Sequence, residues 1–276
     1  MFYSKSTILH SEGVPWIEFP SLTGTGIVKN AFSTRIGGVS EGIFSSMNLN
    51  FKRDDDPEKV MENYRLFAES AGLDLSHMVC SDQTHTTNIR RVFASDAGKG
   101  IFFPQDYHDI DGLITNEPGL CLVTSFADCV PLYFVDPVHH AIGMSHSGWR
   151  GTAGRMGEKT VLAMQDAFQT DPADLVCAIG PSICQKCYEI SKDVADVFAE
   201  SFKKSQADDI LLDKGNKKYQ LDLWKANRYV LTDAGVRPEN IAVTDICTSC
   251  NDRLLWSHRK TGGMRGGASA FLQLTC

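Results

Sequence analysis

Two apolar runs in the middle of the chain, residues 120–126 and 130–135, constrain its fold more than any other feature. Both are rich in β-branched and aromatic residues, and both are far shorter than the roughly 18 apolar residues of a membrane helix. They therefore predict buried strands in the core of a globular protein. Asp128 and Cys129 interrupt the apolar pattern between the two runs, and a carboxylate at such a point needs a polar partner or a cleft.

Helices alternate with strands along the rest of the chain. The first helix is predicted to begin at Asp56-Pro57, a cap followed by proline, and to end near Gly72. The other predicted elements are helices after Gly154 and at about 191–203 and 222–234, and strands at 141–145, 175–179, 241–245 and 270–274. We therefore predict an α+β (mixed α/β) fold over residues 1–276, a single-domain layered sandwich of mixed β-sheets with flanking helices.

Composition and charge exclude several classes of function. The chain has 276 residues, 42% of them hydrophobic and 22% charged, as in ordinary globular proteins. A net charge of −7 disfavours a nucleic-acid surface, which needs clustered Lys and Arg. No signal-peptide core or membrane-spanning stretch is apparent. The nine cysteines are odd in number and scattered along the chain, so we expect a protein of the reducing cytoplasm. We also expect a monomer or homodimer without a membrane partner.

Three short segments each close an apolar run with a side chain that can bind a metal. These side chains are His85, Cys129 and His146. Two imidazoles and one thiolate form a three-ligand zinc set and leave a fourth coordination position open for water or substrate. Each residue also has a plain structural interpretation: a polar loop residue for His85, a small core residue for Cys129, and the entry to a tight turn for His146.

The order and spacing of several motifs resemble the YfiH/YlmD family. The motifs are Gln83-Thr84-His85, Asp111-Gly112-Leu113, Ala127-Asp128-Cys129, His146-Ser147-Gly148-Trp149-Arg150-Gly151, Gly180-Pro181-Ser182-Ile183 and Cys187-Tyr188-Glu189. Segments 32–40 and 47–50 are similar to the family's opening motif, and Cys247-Thr248 and Ser257-His258-Arg259 to its closing motif. The family was first described as laccase-like polyphenol oxidases and later as zinc-containing purine nucleoside phosphorylases.

The resemblance implies a zinc-dependent enzyme that cleaves purine nucleosides with phosphate. The implied substrates are adenosine, inosine and 5′-methylthioadenosine, the products are the free base and ribose 1-phosphate, and adenosine deamination is a side activity. The family's metal ligands fall on His85, Cys129 and His146, in agreement with the ligand chemistry. Besides Cys129, the candidate catalytic residues are Asp128, as a proton acceptor, and Gln83, as a hydrogen-bond partner of the purine edge.

Four residues are candidates for binding the substrate. Arg35 lies in a glycine-flanked loop and can offer two parallel donors to a phosphate. Asn48 belongs to the opening motif and Arg259 to the closing motif. Arg150 lies in a glycine-rich turn that leads into a helix, where anions are favoured.

The chain departs from the family pattern near its carboxy terminus. His258 stands where the family commonly has tyrosine, and Thr261-Gly262 is followed by Gly263 instead of arginine. The nearest arginine is Arg265, so the sequence does not say which arginine serves the substrate.

Two Cys-x-x-Cys pairs form a second cysteine constellation. Cys184 with Cys187 and Cys247 with Cys250 could together close a structural zinc site. The two pairs are far apart for a compact zinc ribbon. We therefore expect one catalytic zinc and keep a second, at these four cysteines, as the less favoured alternative.

Other classes of function remain open on the sequence. A cysteine hydrolase or amidase that edits a peptidoglycan precursor would use Cys129 as nucleophile and His85 or His146 as base. A copper polyphenol oxidase is disfavoured, because the chain has only eight histidines and no His-x-His pair. A binding module that uses zinc only for stability is the third alternative.

Overall fold

The structure of the protein, a computed structural model, describes residues 4–275. The strands are β1 Ile8–His10, β2 Trp16–Glu18, β3 Val28–Ser33, β4 Met78–Cys80, β5 Ile89–Arg91, β6 Gly112–Thr115, β7 Cys121–Phe126, β8 Val130–Asp136, β9 Ala141–Ser147, β10 Val176–Ile179, β11 Glu189–Ser191, β12 Leu211–Gly215, β13 Lys218–Leu221, β14 Ile241–Val243 and β15 Ala268–Leu274. The α-helices are α1 Pro20–Thr23, α2 Pro57–Ala71, α3 Trp149–Ala153, α4 Met156–Phe168, α5 Lys192–Ser201, α6 Lys204–Ile210, α7 Leu223–Asp233 and α8 His258–Thr261.

Two six-stranded mixed sheets form the centre of the molecule. The first has the strand order β1-β2-β3-β15-β7-β4, and the second has the order β14-β10-β8-β9-β6-β5. Most neighbours are antiparallel, but β4 with β7, β5 with β6 and β10 with β14 are parallel. A three-stranded sheet, β11-β13-β12, lies apart from them. The predicted mixed α/β fold with layered sheets is confirmed.

Three apolar clusters define the layers of the sandwich. One cluster joins the facing sides of the two large sheets, for example Leu122 and Leu272 with Tyr133 and Met144. A second covers the outer face of the first sheet with α2, and a third covers the outer face of the second sheet with α4 to α7. Both sheets are therefore buried on both faces, which explains why β7 and β8 read as continuous apolar runs.

Helix α2 begins and ends as its sequence predicts. The Asp56 carboxylate accepts a hydrogen bond from the Glu58 N–H at 2.9 Å, and Gly72 ends the helix in the left-handed conformation. Tyr64 and Phe67 are buried on the first sheet, and the Phe67 ring stacks on Phe271. Each such burial contributes about 1.5–3 kcal/mol to the free energy of unfolding.

The pairing of β8 with β9 brings the start of β8 next to the end of β9, where polar residues interrupt or follow the apolar runs. The two strands pair antiparallel with Pro131 opposite His146 and Val130 opposite Ser147. The turn from β7 to β8 therefore lies beside the end of β9. The predicted strand at 141–145 extends to Ser147, so His146 lies within the strand and its direction is fixed by the ladder. Within residues 4–275, no helix has both the length and the apolar character needed to cross a bilayer.

Candidate metal centre and active site

The three predicted metal ligands come together at one edge of the sandwich. His85 lies in the loop between β4 and β5, Cys129 in the turn between β7 and β8, and His146 near the end of β9. One ligand atom from each side chain lies within 4.8 Å of the others, and Cys129 Sγ is 4.0 Å from His85 Nε2. A tetrahedral zinc with bonds of about 2.0–2.3 Å fits such a triangle of donors after small adjustments.

A buried carboxylate orients His146. Asp111 Oδ1 accepts a hydrogen bond from His146 Nδ1 at 2.8 Å, so the other ring nitrogen is free to face the ligand cluster. The Asp111 carboxylate also accepts the backbone N–H groups of Thr84, His85 and Thr86. Burial alone would raise the pKa of Asp111, but these hydrogen bonds hold the pKa below its ordinary value. One carboxylate thus positions two of the three ligands.

The ligand cluster stabilises a thiolate. Burial alone would raise the pKa of Cys129, but the neighbouring His146 and His85 outweigh burial and lower the pKa to about 6. Burial alone would lower the pKa of His146, yet Cys129 and Asp111 raise it to about 9. At neutral pH these shifts favour a thiolate on Cys129 beside an imidazolium at His146, and a metal would displace the Nε2 proton of His146 to bind both side chains.

Asp128 is fixed next to Cys129, and its own backbone adopts a left-handed conformation with φ 85°. Its carboxylate accepts hydrogen bonds from Thr248 Oγ1 and from the Arg259 N–H, both at 2.6 Å. These contacts hold Asp128 against the carboxy-terminal segment, whereas the carboxylate that supports His146 is Asp111. Asp128 is nevertheless among the residues that line the cleft described below.

The amide of Gln83 is occupied by the backbone of β7. Its Nε2 donates to Ser125 O and its Oε1 accepts from Ser125 N, both at 2.8 Å. Gln83 lines the cleft, but these two bonds hold the His85 loop onto the sheet. The structure therefore favours a positioning role for Gln83 over the predicted contact with a purine edge.

A cleft of about 600 Å³ opens above the three ligands. This volume suits a small organic ligand with one polar group. Aromatic side chains, including Trp149 and Tyr188, line part of the cleft. The basic side chains that line it are Lys52, Arg53, His258, Arg259 and Arg265. Among the residues that the structure describes, Asp128 is the only carboxylate in the lining, so the cleft favours an anionic ligand.

Arg265 is the most deeply buried of these basic side chains. Its side chain is buried, its Nη1 donates to Gly266 O, and its Nε has no acceptor among residues 4–275. Burial and the nearby Arg53 lower the pKa of Arg265 to about 10. The nearby Asp128 and Cys129 partly offset this effect, but no carboxylate among residues 4–275 forms a salt bridge with Arg265, and an anionic ligand would offset the remaining cost of burying its charge.

The structure does not bring all predicted substrate residues into the cleft. Arg35 donates to the carbonyls of Asp252 and Ser45 and stacks on Trp256, so its donors are taken by the protein itself. Asn48 is fully buried, and its amide bonds to Asp55 and Gly267.

Arg150 is exposed, stacks on Trp149 and is not among the residues that line the cleft. Of the four predicted substrate residues, Arg259 alone lines the cleft, with its guanidinium over the Tyr188 ring. Sequence reasoning placed Asp111 in a family motif without a role, and named Arg265 only as the arginine nearest to the family's position. The signal for Asp111 was a carboxylate directly before the apolar run that becomes β6.

Several known proteins are similar to this chain along most of its length. A family model described as multi-copper polyphenol oxidoreductase laccase matches residues 29–275. The chain belongs to this family. Within it, the purine nucleoside phosphorylase YlmD of Geobacillus stearothermophilus is 36% identical over 269 residues, which are 96% of each chain. The purine nucleoside phosphorylase YlmD of Bacillus subtilis is 36% identical over 245 residues, 87% of this chain and 86% of that protein.

Solved structures of family members have the same fold. The crystal structure of YlmD from Geobacillus stearothermophilus superposes with a TM-score of 0.89 at 35% identity and covers 98% of this chain and 100% of that one. The crystal structure of the hypothetical protein YfiH of Bacillus licheniformis gives a TM-score of 0.90 at 33% identity, with 97% and 99% covered. The resemblance read from the motifs is thus confirmed at the level of the family.

Proposed function

We propose that the protein is a zinc-dependent purine nucleoside phosphorylase. The observation that carries the proposal is a set of three candidate metal ligands at a cleft that also holds the buried guanidinium of Arg265, whose Nε has no acceptor among residues 4–275. A metal at these ligands would suit activation of a substrate, and the guanidinium suits binding of phosphate. Several relatives that match along most of their length are named purine nucleoside phosphorylases, which supports the same activity.

The ligand chemistry favours zinc at this centre. One thiolate and two imidazoles match zinc's preference for sulfur and nitrogen, and three protein ligands are typical of its catalytic sites. When bound, the metal would supply a Lewis acid at its open position. Because the thiolate must stay reduced to bind metal, we place the enzyme in the reducing cytoplasm.

The residues of the cleft account for the requirements of phosphorolysis. The reaction breaks the C1′–N9 bond and forms a bond from C1′ to an oxygen of hydrogen phosphate. The C1′–N9 electron pair stays on the purine, which takes up the proton that the phosphate gives up. Arg265, Arg53 and Arg259 hold the phosphate, since guanidinium groups bind two oxygens at once. Asp128 accepts a hydrogen bond from the protonated phosphate oxygen and so orients it. Trp149 and Tyr188 offer flat surfaces to the base.

A phosphate-omission assay tests the proposal. The purified enzyme is incubated with inosine, adenosine or 5′-methylthioadenosine, with and without phosphate, and the products are separated. We expect free base and ribose 1-phosphate only with phosphate, and slow conversion of adenosine to inosine without it. Base released equally fast in both conditions, together with free ribose, would show a hydrolase instead.

The geometry also supports a second candidate, a cysteine hydrolase. Cys129, His146 and Asp111 stand in the order nucleophile, base and orienting carboxylate, and the pKa of Cys129 is lowered to about 6. The substrate class proposed for that activity is a peptidoglycan precursor with an amide bond. A metal on Cys129 would make the thiolate unavailable as a nucleophile.

Alkylation of Cys129 by iodoacetamide separates the two candidates. In the phosphorylase, Cys129 is protected as purified and becomes reactive after chelation. Its rate then rises through pH 6 and levels off above pH 7, because His146 and His85 lower the pKa of the thiol. His146→Gln should move that rise to higher pH. Rapid alkylation of the untreated enzyme, with loss of amide cleavage, would favour the hydrolase.

A further inference from the structure

Four cysteines converge outside the cleft. Cys184 and Cys187 flank the short turn between β10 and β11, and Cys247 and Cys250 lie in the loop after β14. The pairs are 63 residues apart in sequence, yet the four Sγ atoms all lie within 4.8 Å of one another. All four are free thiols, and Cys187 Sγ lies 3.5 Å from Cys250 Sγ. That separation exceeds a disulfide bond of about 2.05 Å.

The topology of the second sheet explains the convergence. Strands β10 and β14 are parallel neighbours, with Ala178 opposite Ala242. Each Cys-x-x-Cys pair follows its strand after a few residues, so both pairs leave the sheet at the same end. A bridge between Ser182 and Cys247 continues the pairing beyond the strands. The long sequence separation therefore does not count against a common site.

The local geometry is that of a tetrathiolate metal site. A tetrahedron with metal–sulfur bonds of about 2.3 Å has sulfur–sulfur edges of about 3.8 Å, close to the spacing observed. Backbone N–H groups of Cys184 and Cys250 donate to Cys247 Sγ at 3.3 and 3.4 Å. Such donors stabilise negative charge on sulfur, and four clustered thiolates need a cation between them.

We propose that Cys184, Cys187, Cys247 and Cys250 bind a structural Zn²⁺ that is separate from the metal of the cleft. Four protein ligands close the coordination sphere, so this ion has no position for substrate. Its role is to join a segment that lines the cleft to a segment that contacts a cleft residue. Tyr188 follows Cys187 directly, and Thr248 follows Cys247 directly and donates to Asp128 at 2.6 Å.

Metal counting on cysteine variants tests the second site. The full chain is purified under reducing conditions without added metal or chelator, and zinc per chain is measured by native mass spectrometry and elemental analysis. We expect two zinc ions in the wild type, one in Cys129→Ala and one in Cys250→Ser, whose exposed side chain makes it the mildest ligand to remove. Cys250→His should keep two ions, because imidazole can replace one thiolate. Cys177→Ala, a buried cysteine outside both clusters, is the matched control and should keep two.

The same experiment separates this proposal from the proposed function. Loss of the cluster zinc should lower the melting temperature and raise KM for the nucleoside while the cleft metal stays bound. One zinc in both wild type and Cys250→Ser would overturn the second site and leave the phosphorylase proposal intact. Iron in place of zinc, or disulfides among the four cysteines of the native wild type, would also overturn it. If Cys250→Ser does not fold, alkylation of the wild type replaces that variant. Protection of the four thiols until a chelator is added would support the second zinc site, and their alkylation without a chelator would overturn it.

Discussion

At the scale of single residues, Asp111 positions the metal ligands although it is not itself one of the three. Its carboxylate binds His146 Nδ1 and three backbone N–H groups of the loop that carries His85. A carboxylate behind a metal-binding histidine fixes the ring and makes its free nitrogen a better ligand. Asp111 therefore couples the formation of the His85 loop to the orientation of His146.

Replacing this carboxylate should weaken metal binding. Asp111→Asn keeps one acceptor oxygen but loses the charge, and we expect metal affinity to fall about 10–100-fold. Competition with a chelator of known affinity measures the change. Asp109→Asn, an exposed neighbour that only contacts the same loop, is the control and should bind metal as the wild type does. A lower melting temperature with unchanged affinity would mean that Asp111 only shapes the loop.

Replacing Arg265 should weaken phosphate binding and should not lower the stability of the fold. We expect Arg265→Ala to raise KM for phosphate at least about tenfold, because a hydrogen bond to a charged group contributes about 1.5–3 kcal/mol. Arg265→Lys should recover only part of the loss, since lysine lacks the planar fork. Steady-state kinetics with phosphate varied measures both effects.

The melting temperature of Arg265→Ala gives an independent check. Removing a buried, unpaired guanidinium relieves a cost to the folded state, so this variant should melt no lower than the wild type. Arg150→Ala is the exposed control and should leave KM for phosphate unchanged. A normal phosphate KM in Arg265→Ala would remove Arg265 from the phosphate site.

At the scale of elements, the turn from β9 into α3 determines how closely the ligands can approach. A Cβ atom at Gly148 would lie 3.0 Å from Cys129 Sγ and 3.1 Å from His85 Cδ2. The backbone of Gly148 has φ −70°, which any residue can adopt. The glycine is therefore required for space beside the ligands and not for its conformational freedom.

Gly148→Ala should displace the ligands while the fold survives. We expect the zinc content of the cleft site and the rate of phosphorolysis to fall together, with little change in the melting temperature. Gly151→Ala is the control, because its Cβ would meet no atom closer than 3.4 Å and alanine favours the helix. Full metal content in Gly148→Ala would show that the ligands have more room than the structure gives them.

At the scale of the whole molecule, local sequence signals predicted the elements but not their arrangement. The cap at Asp56 and the glycine at position 72 gave the bounds of α2, and apolar runs gave β7 and β8. The order of strands depends on contacts between distant segments, which no local pattern contains. For the same reason the pairing of β10 with β14 was not predictable, and the sequence offered the cysteine cluster that this pairing brings together only as the less favoured alternative.

In the candidate site too, some residues were predictable from the sequence and others only from the structure. The convergence of His85, Cys129 and His146 was predictable because each closes an apolar run with a side chain that can bind a metal and because the family motifs name the same three residues. Arginines were not, because one side chain can bind phosphate, cap a carbonyl or stack on an aromatic ring. Arg35 satisfies its donors with two backbone carbonyls, whereas Arg265 is buried without an acceptor for Nε within the described chain. Only the structure distinguishes these environments.

Reconstitution of the metal-free enzyme tests the central claim most directly. The enzyme is stripped with a chelator, and phosphate-dependent cleavage of inosine is followed as Zn²⁺ or Cu²⁺ is returned to the wild type and to Cys129→Ala. The account predicts that Zn²⁺ restores cleavage in the wild type, that Cu²⁺ does not, and that Cys129→Ala stays inactive while remaining folded. Full cleavage by the stripped enzyme, recovery with copper alone, or an active Cys129→Ala protein would contradict it.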